Sequence, residues 1–204
     1  KYLLFCLPLL FASGVPDAPA DSTIAGNVVE ADSFVWETEQ FSDKRILRYK
    51  VNGWEKLPLQ EKKLAYYLTM AGLAGRDIMW DQNYKHNLKI RKALEKVIAG
   101  YKGEKNAVDW SAFMLYAKEV FFSNGIHHHY GMDKFIPGFQ RAWFEGAMKD
   151  VGAALAPEVL AAMFDPAIDN KKVSLDADKD LQLASAVNFY GSDVTEKEVE
   201  AFYS

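Results

Sequence analysis

Apolar residues recur at helical spacing along most of the chain beyond residue 57. Pro58 opens the first such segment, with Leu59, Leu64, Tyr67, Leu68 and Ala71 on its apolar positions and Gly72 and Gly75 closing it. Proline suits a helix start because the N–H it lacks would have no intrahelical partner. A second helix is predicted over residues 77–98, carrying Ile78, Leu88, Leu94, Val97 and Ile98 and ended by Gly100 and Gly103. Asp109 is expected to cap a third, with Trp110, Phe113, Met114, Ala117, Val120 and Phe121 on its apolar positions. After a loop over 123–138, a fourth helix passes through Phe139, Trp143, Phe144 and Ala147, and shorter helices are predicted over 157–164 and 179–189. Before Pro58, residues 33–41 and 46–51 alternate imperfectly and read as short strands or irregular extended segments. Thr195-Glu196-Lys197-Glu198 is a capping box that starts a helix with Val199, Phe202 and Tyr203 on its apolar face. So short a helix is marginal alone, and the chain is therefore expected to be truncated at its C-terminus. The fold class is mainly α with a few short β segments.

The first residues follow another rule. Lys1 precedes an apolar run over 2–12, and a stretch rich in Gly, Pro, Ala and Asp follows over 14–31. That layout is a secretory signal, and the run is too short to span a bilayer, which needs about 20 apolar residues. The expected organisation is a signal segment over 1–20, a linker over 21–32 and a partial helical lobe over 33–204. Export to the periplasm or cell envelope, with no stable membrane span, is expected. Cys6 is the only cysteine, so no disulfide forms within the chain.

Composition narrows the function classes. Of the 204 residues, 50% are hydrophobic and 25% charged, as in an ordinary globular protein. A formal net charge of -4 argues against nucleic acid as a partner. The one sizeable basic cluster, Lys85, Lys89, Arg91, Lys92 and Lys96, reads as a solvated helix face.

Two polar stretches could carry chemistry. In the first, His127-His128-His129 follows Asn124-Gly125 and precedes Tyr130, Gly131 and Lys134-Phe135-Ile136-Pro137. A metal needs converging ligands, and three consecutive histidines point in different directions, so at most two could face one ion. Asp133 would be the nearest further ligand, and His86 is remote in sequence. The loop reads instead as polar, its imidazoles bonding backbone or substrate groups and some titrating near neutral pH. Spacing alone fits a ligand-lining loop and a packed helix connection equally well. The second stretch, residues 75–84, reads as a structural network in which Arg76 pairs with Asp77 or Asp81 while Gln82 and Asn83 bond backbone. The chain carries no phosphate-binding glycine loop, no Gly-x-Ser-x-Gly elbow and no His-Glu-x-x-His.

The run from Phe113 to Pro137 resembles the N-terminal lobe of dipeptidyl peptidase III, where a similar helix ends in a Ser-Asn turn and leads through a Gly-containing polar loop to Lys-Phe-x-Pro. The His-rich loop resembles the Bacteroidetes-type branch, as do residues 33–41, 75–78, 80–85, 184–190 and 194–203. The resemblance runs from about Asp32 to the end. It implies a two-lobed zinc metallopeptidase that releases dipeptides from the N-termini of short peptides. This chain would then be the N-terminal part of the lower lobe. The family's zinc sits on a helical His-Glu-x-x-x-His motif and a later Glu, both downstream of this chain, so no catalytic or metal-binding residue is expected within it and the chain alone is expected to be inactive. What carries over is a substrate-binding role for Asn124, Gly125, His127, His128, His129 and Tyr130. Two rival readings stand: a non-catalytic helical peptide-binding domain, and a small acid–base enzyme using the His-rich loop.

Overall fold

A computed structural model describes residues 34–204. The signal segment and linker expected over 1–32 lie outside the described residues. About 49% of the structure is helical and only two short antiparallel strands occur among the described residues, so the protein is mainly α. The chain divides into two compact units, one reaching to Ala65 and the other running from Tyr66 to Ser204.

The first unit contains a hairpin of β1 (Glu37–Phe41) and β2 (Lys44–Leu47). Ser42 and Asp43 make the turn, with Ser42 at φ 50, and the register pairs Phe41 with Lys44 and Gln40 with Arg45. A bulge between Glu37 and Glu39 shifts the far end so that Glu37 faces Leu47. The bulge accounts for the imperfect alternation of the sequence, since one extra residue on one strand changes which side chains share a face. Beyond it, the Arg48 guanidinium donates to the Val35 carbonyl at 2.9 and 2.6 Å. Helix α1 (Leu59–Ala74) begins after Pro58, as its sequence requires, and carries the chain from one unit into the other. It runs through Gly72 and buries none of its residues among those described.

Most of the core of the second unit comes from four helices, with Trp80, Tyr84, Ile126 and Phe139 added from outside them. Helix α3 (Asn87–Gly100) contributes Ile90, Ala93, Leu94 and Val97, and α4 (Val108–Ser123) contributes Trp110, Phe113, Tyr116, Ala117 and Val120. Helix α5 (Arg141–Asp150) adds Phe144, Ala147 and Met148, and α6 (Pro157–Phe164) adds Val159, Leu160, Ala162 and Met163. These spacings of three and four residues are what one buried helix face demands. Phe113 sits at the centre, its ring 5.6 Å from Phe139, 5.5 Å from Trp143 and 5.9 Å from Phe144. Removing a fully buried phenylalanine from such a cluster costs about 3–5 kcal/mol.

Two expected helices are corrected. The segment over 77–98 is two helices, α2 (Arg76–Asn83) and α3, broken at Tyr84. Tyr84 is extended, at φ -172 and ψ 135, and its fully buried ring places the hydroxyl 2.6 Å from Asp169 Oδ2. The segment over 179–189 is not helical. It makes one turn and then pairs with an earlier stretch, Ala186 and Val187 donating their N–H groups to the carbonyls of Lys171 and Lys172 at 3.0 Å each. Asp180 holds the turn by accepting from the N–H groups of Gln182 and Leu183, and it also accepts from the N–H of Glu196. Glu196 returns the bond through its own carboxylate to the N–H of Leu181 at 3.0 Å.

Smaller differences follow the same logic. Ala107 occupies the N-cap of α4, and Asp109 lies in its first turn, where Oδ1 accepts from the N–H of Gln140 at the start of α5. Asp77 pairs with Arg91 at 2.7 Å, and Arg91 also lies over the Trp80 ring. Thr195 caps α7 (Glu196–Tyr203) with both bonds of the capping box in place, and Phe202 and Tyr203 are exposed. Among the described residues no helix is long and apolar enough to cross a membrane.

Candidate functional site

The loop after α4 starts with a reversal of chain direction. Asn124 adopts the left-handed conformation, φ 52 and ψ 43, and Gly125 follows at φ 153. Asparagine tolerates that region better than most residues, and glycine reaches φ 153 without a steric penalty. A Cβ on Gly125 would collide with the carboxamide of Asn87, so glycine is required by space as well as by backbone.

Asn87 sets the base of the loop. It is fully buried at the first turn of α3, where Nδ2 donates to the Trp80 carbonyl at 3.1 Å and Oδ1 accepts from the Ile126 N–H at 3.1 Å. Asn83 adds a second tie, its amide donating to the Asn124 carbonyl at 3.0 Å. Polar side chains thus satisfy backbone groups where the chain leaves helical geometry, as buried polar atoms require.

The three histidines do three different things. His127 is 2% exposed and points inward, with Nε2 2.7 Å from the Asp169 carbonyl oxygen. A carbonyl only accepts, so Nε2 carries the proton and Nδ1 the lone pair. Nδ1 is buried without a hydrogen-bond partner. Burial is the main reason the His127 pKa falls to about 4, so the ring is neutral at pH 7. The expectation of titration near neutral pH does not hold for this ring.

His128 turns back on its own loop. Its Nδ1 accepts from the N–H groups of Tyr130 at 3.2 Å and Gly131 at 2.9 Å, closing a tight turn. His129 lies 4.6 Å from the His128 ring in a stacked arrangement and 3.4 Å from Ser123 Oγ through Nδ1. Tyr130 continues the series, 4.6 Å from His129, and its side chain is 82% exposed. Of the expected substrate-binding residues, Gly125 and His127 are therefore buried and contact the protein, Asn124 is a half-buried hinge, and His128, His129 and Tyr130 form an aromatic tip.

Lys134 closes the loop from beneath. Its side chain is buried, and its ammonium donates to the carbonyls of Ala162 at 2.9 Å, Asp165 at 2.6 Å and Ile168. These carbonyls lie in and just beyond the last turn of α6, where carbonyls lack intrahelical donors and a cation is favoured. Burial lowers the Lys134 pKa. Asp133 pairs with Lys171 at 2.5 Å. His86, remote in sequence, approaches the same region, because both it and His127 pack edge-on against Tyr84, at 5.2 and 5.4 Å.

His128 Nδ1 accepts from two backbone donors and His129 Nδ1 lies beside Ser123 Oγ, while His127 Nδ1 is buried and apart from any other candidate ligand set. No group of three His, Cys, Asp or Glu side chains able to hold a metal occurs among the described residues.

Sequence reasoning missed Asn87, Lys134 and Asp169. The available signal was an asparagine near the start of a predicted helix and a lysine within the polar loop, neither of which specifies a distant partner. No family model matches the chain, and no curated protein matches it.

Proposed function

We propose that the chain is part of an exported zinc-dependent dipeptidyl-peptidase of the dipeptidyl peptidase III kind, in which the His128–His129–Tyr130 tip lines the cleft that receives short peptides. The observation that carries this reading is the loop itself, whose base is tied by Asn87, His127 and Lys134 while His128 and His129 are half-buried and Tyr130 is exposed at the tip. A rigid base with an exposed aromatic tip suits peptide recognition, because stacking area is offered with little ordering cost on binding. The resemblance of residues 113–137 to that family supports the substrate class. The zinc is assigned to sequence outside this chain, and no chemical step is assigned to the residues described.

The test is hydrolysis of dipeptidyl-arylamides by the full-length gene product, with and without a chelator. Chelator-sensitive release of dipeptides is expected. Replacing Tyr130 by Ala is expected to raise KM by about threefold to tenfold with little change in kcat, the loss of one aromatic contact. Peptide affinity without turnover would instead identify a non-catalytic peptide-binding domain. An unchanged KM in Tyr130→Ala would remove the tip from the cleft.

A further inference from the structure

A second site lies away from the loop tip. A cavity of about 130 Å³ is bounded by Tyr84, Lys85, Asp169, Ser185, Asn188 and Ser192 among others, and none of His128, His129 or Tyr130 lines it. At roughly 30 Å³ per water molecule, the volume matches about four waters, or a free amino acid with a small side chain.

Asp169 is the anionic residue of its wall and is held at both ends. The Tyr84 hydroxyl donates to Oδ2 at 2.6 Å, and His127 Nε2 donates to the main-chain carbonyl at 2.7 Å. Both partners are essentially fully buried, and they come from separate parts of the chain. The backbone of Asp169 is left-handed, at φ 46, a conformation that Asp, like Asn, reaches more readily than other non-glycine residues.

The carboxylate nevertheless makes no direct ion pair. No Lys, Arg or His nitrogen reaches it within 4.0 Å among the described residues. The nearest buried ammonium, on Lys134, is committed to three backbone carbonyls. The half-buried carboxylate thus has one fixed side-chain donor, the Tyr84 hydroxyl, and basic groups only at longer range, Lys134 and His86 among them, so an ammonium is the group that would pair with it directly.

We propose that this cavity binds a small molecule carrying a primary ammonium, of the size of a free amino acid, with its nitrogen on Asp169. Ser185 Oγ is already bonded to the Ser174 N–H and the Leu181 carbonyl, so the Ser192 hydroxyl and the Asn188 carboxamide oxygen would supply the further acceptors for the ammonium hydrogens. Lys85 at the wall offers a cation to a carboxylate, so an amino acid uses one group more than a simple amine does. The site is distinct from the peptide cleft proposed above and does not depend on it.

The experiment is titration calorimetry on the full chain with alanine, ethylamine and acetate as probes. Alanine and ethylamine are expected to bind and acetate not to bind. Asp169→Asn is expected to weaken ammonium binding at least about tenfold, the loss of one charge-assisted bond. Tyr84→Phe keeps the buried ring and is expected to weaken binding by a smaller factor. Alanine binding tighter than ethylamine would identify the amino acid as the preferred form, and equal binding would identify the ammonium alone. Absence of ammonium binding, equal binding of acetate, or unchanged affinity in a folded Asp169→Asn protein would overturn the proposal. Circular dichroism of each variant establishes that it is folded.

Discussion

The Asn87 carboxamide makes a prediction that can be worked from its two bonds. In Asn87→Ala the N–H of Ile126 loses its acceptor while remaining at a fully buried residue. An orphaned buried donor costs about 1–3 kcal/mol. The Trp80 carbonyl loses one donor but keeps the Tyr84 N–H at 3.4 Å, so its share is nearer ~0.5–1 kcal/mol. The expected loss is therefore about 1.5–4 kcal/mol, large against the total stability of a domain. Gly125→Ala is destabilising for a second reason, since its Cβ would strike that same carboxamide. If the collision is real, removing the carboxamide relieves it. The double variant should then be more stable than the sum of the singles predicts, by about 1 kcal/mol or more, as residues in direct contact couple. Urea unfolding followed by tryptophan fluorescence measures all four proteins, with Trp80 reporting from beside the site. Additive losses would refute the geometry at the loop base, and a loss below about 1 kcal/mol in Asn87→Ala would refute the bonding argument.

Two further predictions concern the same connection. His127 is neutral in the fold with its pKa lowered to about 4, against about 6.5 in an unfolded chain. Between those values the unfolded state binds more protons, so stability should fall as pH drops from about 6.5 toward 4 and level off below. His86, lowered chiefly by burial, acts in the same direction. Urea midpoints measured across that window should lose most of their slope in His127→Gln, and an unchanged slope would show that the ring is not buried in its neutral form. Lys134→Met leaves the carbonyls of Ala162, Asp165 and Ile168 without their common donor and should cost about 2–4 kcal/mol, since hydrogen bonds to a charged group are the stronger kind. A loss under about 1 kcal/mol in the same unfolding assay would mean that the three carbonyls find other donors.

The sequence was most legible where one local rule decides the structure. Helix α6 begins at Pro157 because proline is suited to a first helical position, and the Thr195 capping box forms as its residues require. The buried faces of α3 and α4 follow the spacing of their apolar residues. Legibility ended where a distant residue decides. The apolar spacing runs unbroken through residues 77–98, and nothing local announces that Tyr84 will bond Asp169, 85 positions away. The non-helical course of 179–189 is likewise settled by the Asp180 and Glu196 exchange and by pairing with Lys171 and Lys172. Asp109 was readable as a capping residue, but the N–H it satisfies belongs to the next helix, at Gln140.

The histidine run shows why consecutive residues of one type need not share one role. His127 turns inward while His128 and His129 stack on each other, so the three rings meet different partners. His127 is drawn inward because the Asp169 carbonyl needs a donor and the Tyr84 ring offers an apolar edge. His128 is fixed as an acceptor by the backbone it folds over. His129 is half-buried, stacked on His128 and set between Phe122 and Tyr130. The arrangement joins the two proposed sites through one residue. Asp169 offers its carboxylate to the cavity and its carbonyl to the ring that anchors the peptide-facing loop. Whatever holds Asp169 in its left-handed conformation therefore also holds the base from which His128, His129 and Tyr130 project.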